Sequence, residues 1–277
     1  MKLRGWFKWS LMIFAAACLT ISVGLILKAA DRNLRAPASG SNPASDPNAA
    51  QTRTSALDLS SAPSKSSASA ADPQKSNRVL LNVPHLPQGE QYPSGCESVS
   101  AVMALRYLGA QITADEFIDG YLDRGILTVS NGVTYGPSPV ECFIGSPYSS
   151  KSYGCYAPVI ADALQKLEGR TGIRAEAVSG RELSALAEEN IKNGRPLLIW
   201  ATKGMKASGE GTSWRINGTN ELFIWKLGEH CLVLIGYDDE HYYFNDPDSS
   251  SGGTAYLRTL VERRYRELGS QAVIFPK

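Results

Sequence analysis

The sequence predicts an α+β fold in which helices come first and antiparallel strands follow. Helix signals dominate from 96 to 194, strand signals dominate from 195 to 277, and short turns join the strand signals. A run of helices followed by a run of strands is typical of α+β proteins rather than of alternating α/β proteins. The roughly 200 residues from 78 onward are enough for one well-buried core.

The N-terminal segment predicts a membrane anchor. Basic residues precede an uncharged, mostly apolar stretch over 9–27, which as a helix would extend about 29 Å, close to the hydrocarbon thickness of a bilayer. A cleaved signal peptide usually has a shorter apolar region and a small-x-small site, and here Lys28 lies at that place. We therefore predict a short cytoplasmic N-terminus over 1–8 and a transmembrane signal-anchor over 9–30. Secretion after signal cleavage is the alternative.

The segment over 31–77 predicts a disordered linker. It is rich in Ala, Ser, Pro and Asp and has almost no large apolar residues, so it cannot bury enough surface to fold. As a flexible coil it would span roughly 35–40 Å. A tether of this kind carries a domain away from the bilayer, so we expect the domain over 78–277 to be extracytoplasmic on a single-pass membrane protein.

Two helices are predicted at the start of the domain. The stretch "CESVSAVMALRYLG" over 96–109 is apolar on nearly every face, as a core helix is, and Gly109 suits the position after its end. Thr113 and Glu116 form a capping box that opens the second helix.

Two more helices follow. The stretch "APVIADALQKLEG" predicts a third helix that ends at Gly169. Ser179 and Glu182 repeat the capping-box spacing and predict a fourth helix that stops near Gly194.

The remaining chain predicts strands. "RVLLNVPHLPQ" begins the domain with a β-leaning run, and "RPLLIWAT" and "HCLVLIGYD" are apolar runs bounded by turn residues. "WRINGTNELFIW" predicts a hairpin with its turn at Asn217 and Gly218. "HYYFNDP" follows closely enough to pair antiparallel with the strand before it. A helix over 259–268 and the strand "QAVIFP" close the chain.

Charge and motif content exclude several functions. The net charge is +1, from 28 basic and 27 acidic residues, with no clustered basic face to indicate nucleic-acid binding. The chain contains neither a CxxC nor an HExxH pair, so we expect no metal and no other cofactor.

The few histidines narrow the search for catalytic groups. Only His85, His230 and His241 occur. His230 begins one predicted strand and Asp246 follows the next, so antiparallel pairing would bring them together at the edge of the sheet. A carboxylate there could hold the imidazole in one tautomer and stabilise its charged form. We expect His85 to be structural and His241 to lie at the surface.

Cys96 is the candidate nucleophile. A cysteine at the start of a core helix can be an apolar filler, but there the helix dipole and a nearby imidazolium would lower the thiol pKa. The chain order Cys96, His230, Asp246 then supplies nucleophile, base and orienting carboxylate for acyl transfer through a thioester.

Four stretches give the domain a family resemblance. "VPHLPQGEQYPSGCES", "FIGSPYSSKSYGCYAPVI", "GEHCLVLIGYDDEHYYFNDP" and "GSQAVIF" resemble the C39-like cysteine peptidases of the papain-like superfamily. The resemblance implies a papain-like fold with a cysteine-bearing helix packed on an antiparallel sheet. It makes Cys96 the nucleophile, His230 the general base and acid, and Asp246 its partner. It also implies a glutamine that donates to the oxyanion, for which Gln88 is the better match and Gln91 the competitor. The chain has no "GxxxxGK", so fusion to a transporter ATPase is not supported.

The remaining cysteines leave one alternative open. A disulfide between Cys142 and Cys155 is possible outside the cytoplasm. Cys231 follows His230 on a strand, so it should point to the opposite face and pack in the core.

The first functional hypothesis is a membrane-tethered cysteine peptidase acting on a peptide or protein substrate. One alternative is a non-catalytic papain-like surface module whose groove Trp214 and Trp225 would line. Another is an acyl transferase, similar to transglutaminases, that uses the same triad. The sequence does not predict an oligomeric state.

Overall fold

The structure is a computed structural model that describes residues 77–277. The predicted N-terminus, anchor and nearly all of the linker lie outside these residues, so their assignment stays a prediction. No helix within 77–277 is both long and apolar enough to cross a bilayer. The described part contains helices α1 Cys96–Tyr107, α2 Ala114–Gly120, α3 Ala157–Thr171, α4 Leu183–Ile191 and α5 Arg258–Glu267.

The strands form three sheets, the largest of which has seven strands. In chain order the strands are β1 Val79–Leu80, β2 Arg124–Gly125, β3 Thr128–Ser130, β4 Val133–Gly136, β5 Phe143–Ile144, β6 Glu176–Ser179, β7 Leu197–Thr202, β8 Gly209–Ile216, β9 Leu222–Leu227, β10 Glu229–Tyr237, β11 His241–Asn245, β12 Thr254–Leu257 and β13 Gln271–Ile274. The large sheet has the order β12-β11-β10-β7-β13-β6, with β1 beside the end of β10. All its pairs are antiparallel, which confirms the predicted α+β class.

The large sheet lies between two layers of helices, and both faces of its strand β10 are therefore buried. Cys231 and Val233 pack into the core that contains α1 and α3, whereas Leu232 and Leu234 pack into the core that contains α4 and α5. Successive side chains of a strand point to opposite faces, so neighbouring residues on β10 pack against opposite helix layers. The prediction that Cys231 packs in the core is confirmed.

Helix α1 is apolar all round because it is enclosed all round. Its residues from 96 to 105 are all buried. The helix ends where predicted: Gly109 has a positive φ of 102°, and the Ala110 amide donates to the Leu105 carbonyl at 2.9 Å. Each fully buried aliphatic side chain stabilises the folded state by about 1.5–3 kcal/mol, so α1 anchors the residue at its own N-terminus firmly.

Two predicted helix boundaries were wrong. Helix α3 continues through Gly169 and ends at Gly172, which has the left-handed φ of 68° that a glycine at a helix end favours. Ser179 does not open α4, because it belongs to β6 and pairs with Gln271 of β13. The strand pairing outcompetes the local capping signal, and α4 begins at Leu183. By contrast, the Thr113 hydroxyl accepts from the Glu116 amide at 3.1 Å, as the capping box at the start of α2 predicts.

The predicted hairpin is part of a separate four-stranded sheet of order β3-β4-β8-β9. β8 and β9 pair antiparallel, and positive φ values at Gly218 and Asn220 close a loop longer than the predicted turn. Trp214 and Trp225 lie on the inner face of this hairpin, only 1% and 6% exposed. Their rings pack with each other, with Phe223 and with Tyr153. They are core residues, so they do not line a binding groove.

Candidate active site

A tight turn positions Cys96 as the first residue of α1. The Gly95 amide donates to the Tyr92 carbonyl at 2.9 Å, and the Ser94 amide donates to the Pro147 carbonyl at 3.2 Å. A Cβ on Gly95 would lie 2.7 Å from the Cβ of Tyr92, so only glycine fits this turn without a shift. The thiol therefore starts the helix at a place set by main-chain contacts on both sides, and it is 7% exposed.

His230 and Asp246 form a buried pair at the edge of the large sheet. The antiparallel pairing of β10 and β11 brings them together, and His230 Nε2 lies 2.7 Å from Asp246 Oδ1. The same Oδ1 accepts from the Asp248 amide at 2.9 Å. Burial alone would raise the pKa of Asp246, but the hydrogen bond and charge of His230 outweigh it and hold that pKa below its usual value.

The Cys96 sulfur lies against the first residues of β10. A backbone hydrogen bond from Cys231 is one of the contributions to its pKa. The thiol itself donates to Glu97 Oε2 at 3.3 Å. Within residues 77–277, the side-chain hydrogen bond of the Cys96 thiol is made to Glu97, and the side-chain hydrogen bond of His230 is made to Asp246.

The thiol pKa differs from the sequence expectation. Burial, followed by the charges of Glu97 and Glu229, raises the pKa of Cys96 well above its usual value. The expectation of a lowered pKa considered the helix dipole and an imidazolium alone. It was wrong for this arrangement, because burial and two neighbouring carboxyl groups raise the thiol pKa instead.

The structure separates the two glutamines. Gln88 is 8% exposed, its amide donates to the Pro247 carbonyl at 2.7 Å, and its Nε2 donates to the Pro93 carbonyl at 3.3 Å. Gln91 is exposed and its Nε2 lies 3.4 Å from an Asp115 carboxylate oxygen. Gln88 therefore lies between the Cys96 turn and the residue that follows Asp246, whereas Gln91 points toward α2.

Sequence reasoning missed Glu97 and Glu229. Glu97 is fully buried, and its Oε1 accepts from the Cys155 amide at 2.7 Å. The sulfur of Cys96 and one carboxyl oxygen each of Glu97 and Glu229 all lie within 4.8 Å of one another. Burial raises the pKa of Glu97 to about 7. Burial and the charge of Glu97 raise the pKa of Glu229 well above its usual value. The available signal was a carboxylate inside an otherwise apolar helix.

This cluster does not have the character of a metal site. Thiol and carboxyl groups bind metal ions in their deprotonated forms. Here burial favours the protonated form of all three groups. We assign no metal or cofactor to these residues.

The other predicted residues occupy distinct places. His85 Nε2 lies 2.9 Å from the main-chain oxygen of Asp246, a contact that supports the loop. His241 Nδ1 lies 3.5 Å from Asp238 at the far end of β11. Cys142 and Cys155 are both free thiols in this structure, so the disulfide that the sequence left open is not formed here.

An open cavity of about 630 Å³ adjoins the pair on the Asp246 side. Its lining includes Thr202, Gly228 and Asp246, with Lys203 and Asp248 among its charged residues. Lys203 Nζ lies 2.7 Å from Asp248 Oδ1 in an ion pair that is largely exposed. The carboxylate end of the pair therefore borders a space that solvent can enter.

Comparisons with known proteins agree with this fold. The Peptidase_C39 like family matches residues 80–273. The Bacillus subtilis protein YvpB, which is uncharacterized, is 28% identical over 185 residues, covering 66% of this chain and 70% of its own. The crystal structure of a candidate C39-like peptidase from Bacillus anthracis superposes with a TM-score of 0.63 at 28% identity. That match covers 72% of this chain and 98% of the other.

Proposed function

Because this chain belongs to the Peptidase_C39 like family, we propose that it is a cysteine peptidase whose nucleophile is Cys96. His230 is its general base and acid, Asp246 orients the imidazole, and Gln88 donates to the oxyanion. One observation carries this proposal: a buried histidine–carboxylate pair, 2.7 Å apart, at the start of the strand whose next residue contacts the Cys96 sulfur.

The proposed acylation begins with one proton transfer. Asp246 occupies Nε2 of His230, so Nδ1 is the ring nitrogen left to take the proton from the Cys96 sulfur. This step requires the thiol to turn away from Glu97, where it now donates. The thiolate then attacks the substrate carbonyl carbon, and the C=O electrons move to the oxygen.

Collapse of the tetrahedral intermediate breaks the C–N bond. Gln88 stabilises the oxyanion, a contribution typically worth about 3 kcal/mol of barrier. Imidazolium His230 gives its proton to the leaving amine, which leaves a thioester on Cys96. His230 then takes a proton from water, the hydroxide adds to the thioester, and return of that proton to sulfur releases the acid product.

The biological setting is part of the proposal. The predicted anchor over 9–30 and the linker over 31–77 support a single-pass membrane protein with an extracytoplasmic domain. Its substrate would then be a peptide or protein in that space.

Labelling of the full-length protein tests the catalytic assignment. A peptide-like epoxide should modify Cys96 rapidly, as located by mass spectrometry, and His230→Ala should remove the rapid phase. His241→Ala is the matched control, since His241 lies at the far end of β11. Equal, slow labelling of the unaltered protein and of His230→Ala would contradict the proposal.

Acyl transfer to an amine remains an outcome of the same chemistry, because the triad would form the same thioester. Product analysis in the presence of a primary amine separates the two: hydrolysis yields the free acid, and transfer yields an amide. A non-catalytic module has lost its main support, because Trp214 and Trp225 are buried.

A further inference from the structure

The mechanism leaves one feature of the site unused, the two buried carboxyl groups beside the nucleophile. Glu97 follows Cys96 on α1, and Glu229 precedes His230 on β10. Both carboxyl groups lie close to Gly154. A Cβ on this glycine would lie 2.4 Å from Glu97 Oε1 and 3.1 Å from Glu229 Oε2. A side chain at this position would therefore displace the Glu97 carboxylate from where it now lies.

We propose that Glu97 is a positioning residue for Cys96: its carboxylate accepts a hydrogen bond from the thiol and keeps the thiol protonated, and protonation of Glu97 removes this restraint. This inference rests on the proposed role of Cys96 as nucleophile. It concerns a residue outside the triad and the oxyanion glutamine.

Two hydrogen bonds restrain the Cys96 thiol beside Glu97. The two oxygens of Glu97 have separate partners, since Oε1 accepts from the Cys155 amide at 2.7 Å and Oε2 accepts from the Cys96 thiol at 3.3 Å. The first contact fixes the carboxylate to the chain. The second gives the thiol hydrogen an acceptor other than the ring nitrogen that the mechanism needs.

The charge of Glu97 controls how easily the Cys96 thiol ionises. A thiolate beside ionised Glu97 would place two negative charges in a buried site, which is unfavourable at low dielectric. Once Glu97 is protonated, that repulsion disappears, and its O–H can donate to the sulfur instead. Burial raises the pKa of Glu97 to about 7, so this exchange falls in the neutral range.

Several groups face Glu97 and contribute to its titration. From its own helix there is Cys96, from the loop before α3 there are Cys155 and Tyr156, and from β10 there are Glu229, His230 and Cys231. Of these, the Cys155 amide and the Cys96 thiol favour the ionised form of Glu97 through their hydrogen bonds, and the charge of His230 favours it further. Burial and the charge of Glu97 raise the pKa of Glu229 well above its usual value, so both acids resist ionisation in this site.

Alkylation of Cys96 in the full-length protein tests the proposal without a substrate. The rate with iodoacetamide is measured from pH 5 to 10 and assigned to Cys96 by peptide mass spectrometry. Glu97→Gln keeps an oxygen for the Cys155 amide and puts a neutral donor beside the sulfur. We expect it to lower the apparent pKa of Cys96 by about one unit, so that alkylation at pH 8 is about tenfold faster. Glu141→Gln, on an exposed loop, should match the unaltered protein.

A second measurement needs no variant. In coupled titrations, protons leave in macroscopic steps that belong to the pair. For the unaltered protein the alkylation rate should level off just above pH 7, because each further proton there comes from Glu97 rather than from the thiol. It should rise again at higher pH.

The outcomes separate this inference from the proposed function. A folded Glu97→Gln variant that alkylates no faster than the unaltered protein would overturn the inference, as would a single sigmoidal rate profile without the levelling. Neither result would touch the triad assignment. If instead His230→Ala leaves epoxide labelling unchanged but Glu97→Gln speeds alkylation, the assignment of His230 as general base fails, whereas the effect of Glu97 on the Cys96 thiol is retained.

Discussion

His230 Nε2 and Asp246 Oδ1 lie 2.7 Å apart, although sixteen residues separate them along the chain. The pair forms because β10 and β11 are antiparallel and joined by a short turn, so the start of one strand meets the end of the next. Both side chains are buried. Burial from solvent strengthens the interaction between the two side chains.

Asp246→Asn tests the orienting role. Asn keeps an oxygen that can accept from the Asp248 amide but loses the charge that stabilises the imidazolium. By analogy with other catalytic triads, we expect kcat/KM for a peptide substrate to fall on the order of 10³–10⁴-fold. Asp248→Asn is the control, because Asp248 forms an exposed ion pair with Lys203. Equal activity of Asp246→Asn and the unaltered protein would contradict the role.

Gln88→Ala and Gln91→Ala separate the two candidate oxyanion donors. Loss of one donor typically lowers kcat by about 10²–10³-fold. We expect that loss for Gln88→Ala and a change within about twofold for Gln91→Ala, since an exposed side chain at Asp115 lies away from the site. Steady-state kinetics decide the assignment, and the reverse pattern would move it to Gln91.

Glu97 predicts a pH-dependent stability. Its folded pKa of about 7 exceeds the unfolded value of about 4.3. The native state therefore binds more protons between these values, and stability is full below pH 4 and lost as pH rises to about 7. The loss amounts to about 3–4 kcal/mol.

Urea unfolding followed by tryptophan fluorescence at pH 4 and pH 8 measures this term. Glu97→Gln should gain about 3–4 kcal/mol of stability relative to the unaltered protein on going from pH 4 to pH 8. The exposed Glu141→Gln should show no such gain. A difference between Glu97→Gln and the unaltered protein that is constant with pH would contradict the raised pKa.

Gly95→Ala tests the turn that positions Cys96. The added Cβ would approach the Cβ of Tyr92 to 2.7 Å, so the turn must move. Overpacking of this kind typically costs 1–3 kcal/mol, and we expect slower epoxide labelling of Cys96 as well. Gly120→Ala is the matched control: it has open space within 4 Å and should be neutral or stabilise α2 by up to about 1 kcal/mol. Thermal unfolding and labelling of both variants check this.

Trp214→Ala tests whether the hairpin aromatics are core residues. Trp214 is fully enclosed, and its Nε1 donates to the Pro137 carbonyl at 3.0 Å. Removal should lower the free energy of unfolding by about 3–5 kcal/mol. Leu222→Ala, an exposed position on the same hairpin, should change it by less than about 0.5 kcal/mol. A Trp214→Ala variant of full stability that loses peptide binding would restore the binding-module hypothesis.

The large sheet and the helix at Cys96 could be predicted because their signals are local. Apolar runs bounded by turn residues identified β7, β10 and β13, and the all-apolar face pattern identified α1. Predicted helix boundaries were wrong where a residue pairs with a distant part of the chain, as Ser179 does with Gln271. The parallel pairing of β4 with β8 joins segments too far apart in the chain for any local pattern to reveal.

The candidate site divides along the same line. Residue types and spacing were sufficient to single out Cys96, His230 and Asp246, because strand alternation and antiparallel order follow from sequence. Only tertiary structure decided that Gln88 is buried while Gln91 is exposed. It also decided that the thiol faces Glu97 rather than an imidazole.

The sequence by itself determined the order of elements and the chemical groups available, since backbone propensity and hydrophobic pattern act over a few residues. The enclosure of Glu97 between α1, β10 and the loop at Gly154 arises from contacts among segments distant along the chain. Desolvation depends on everything that surrounds a group. The pKa of the Cys96 thiol is therefore set by packing, and no local pattern encodes it.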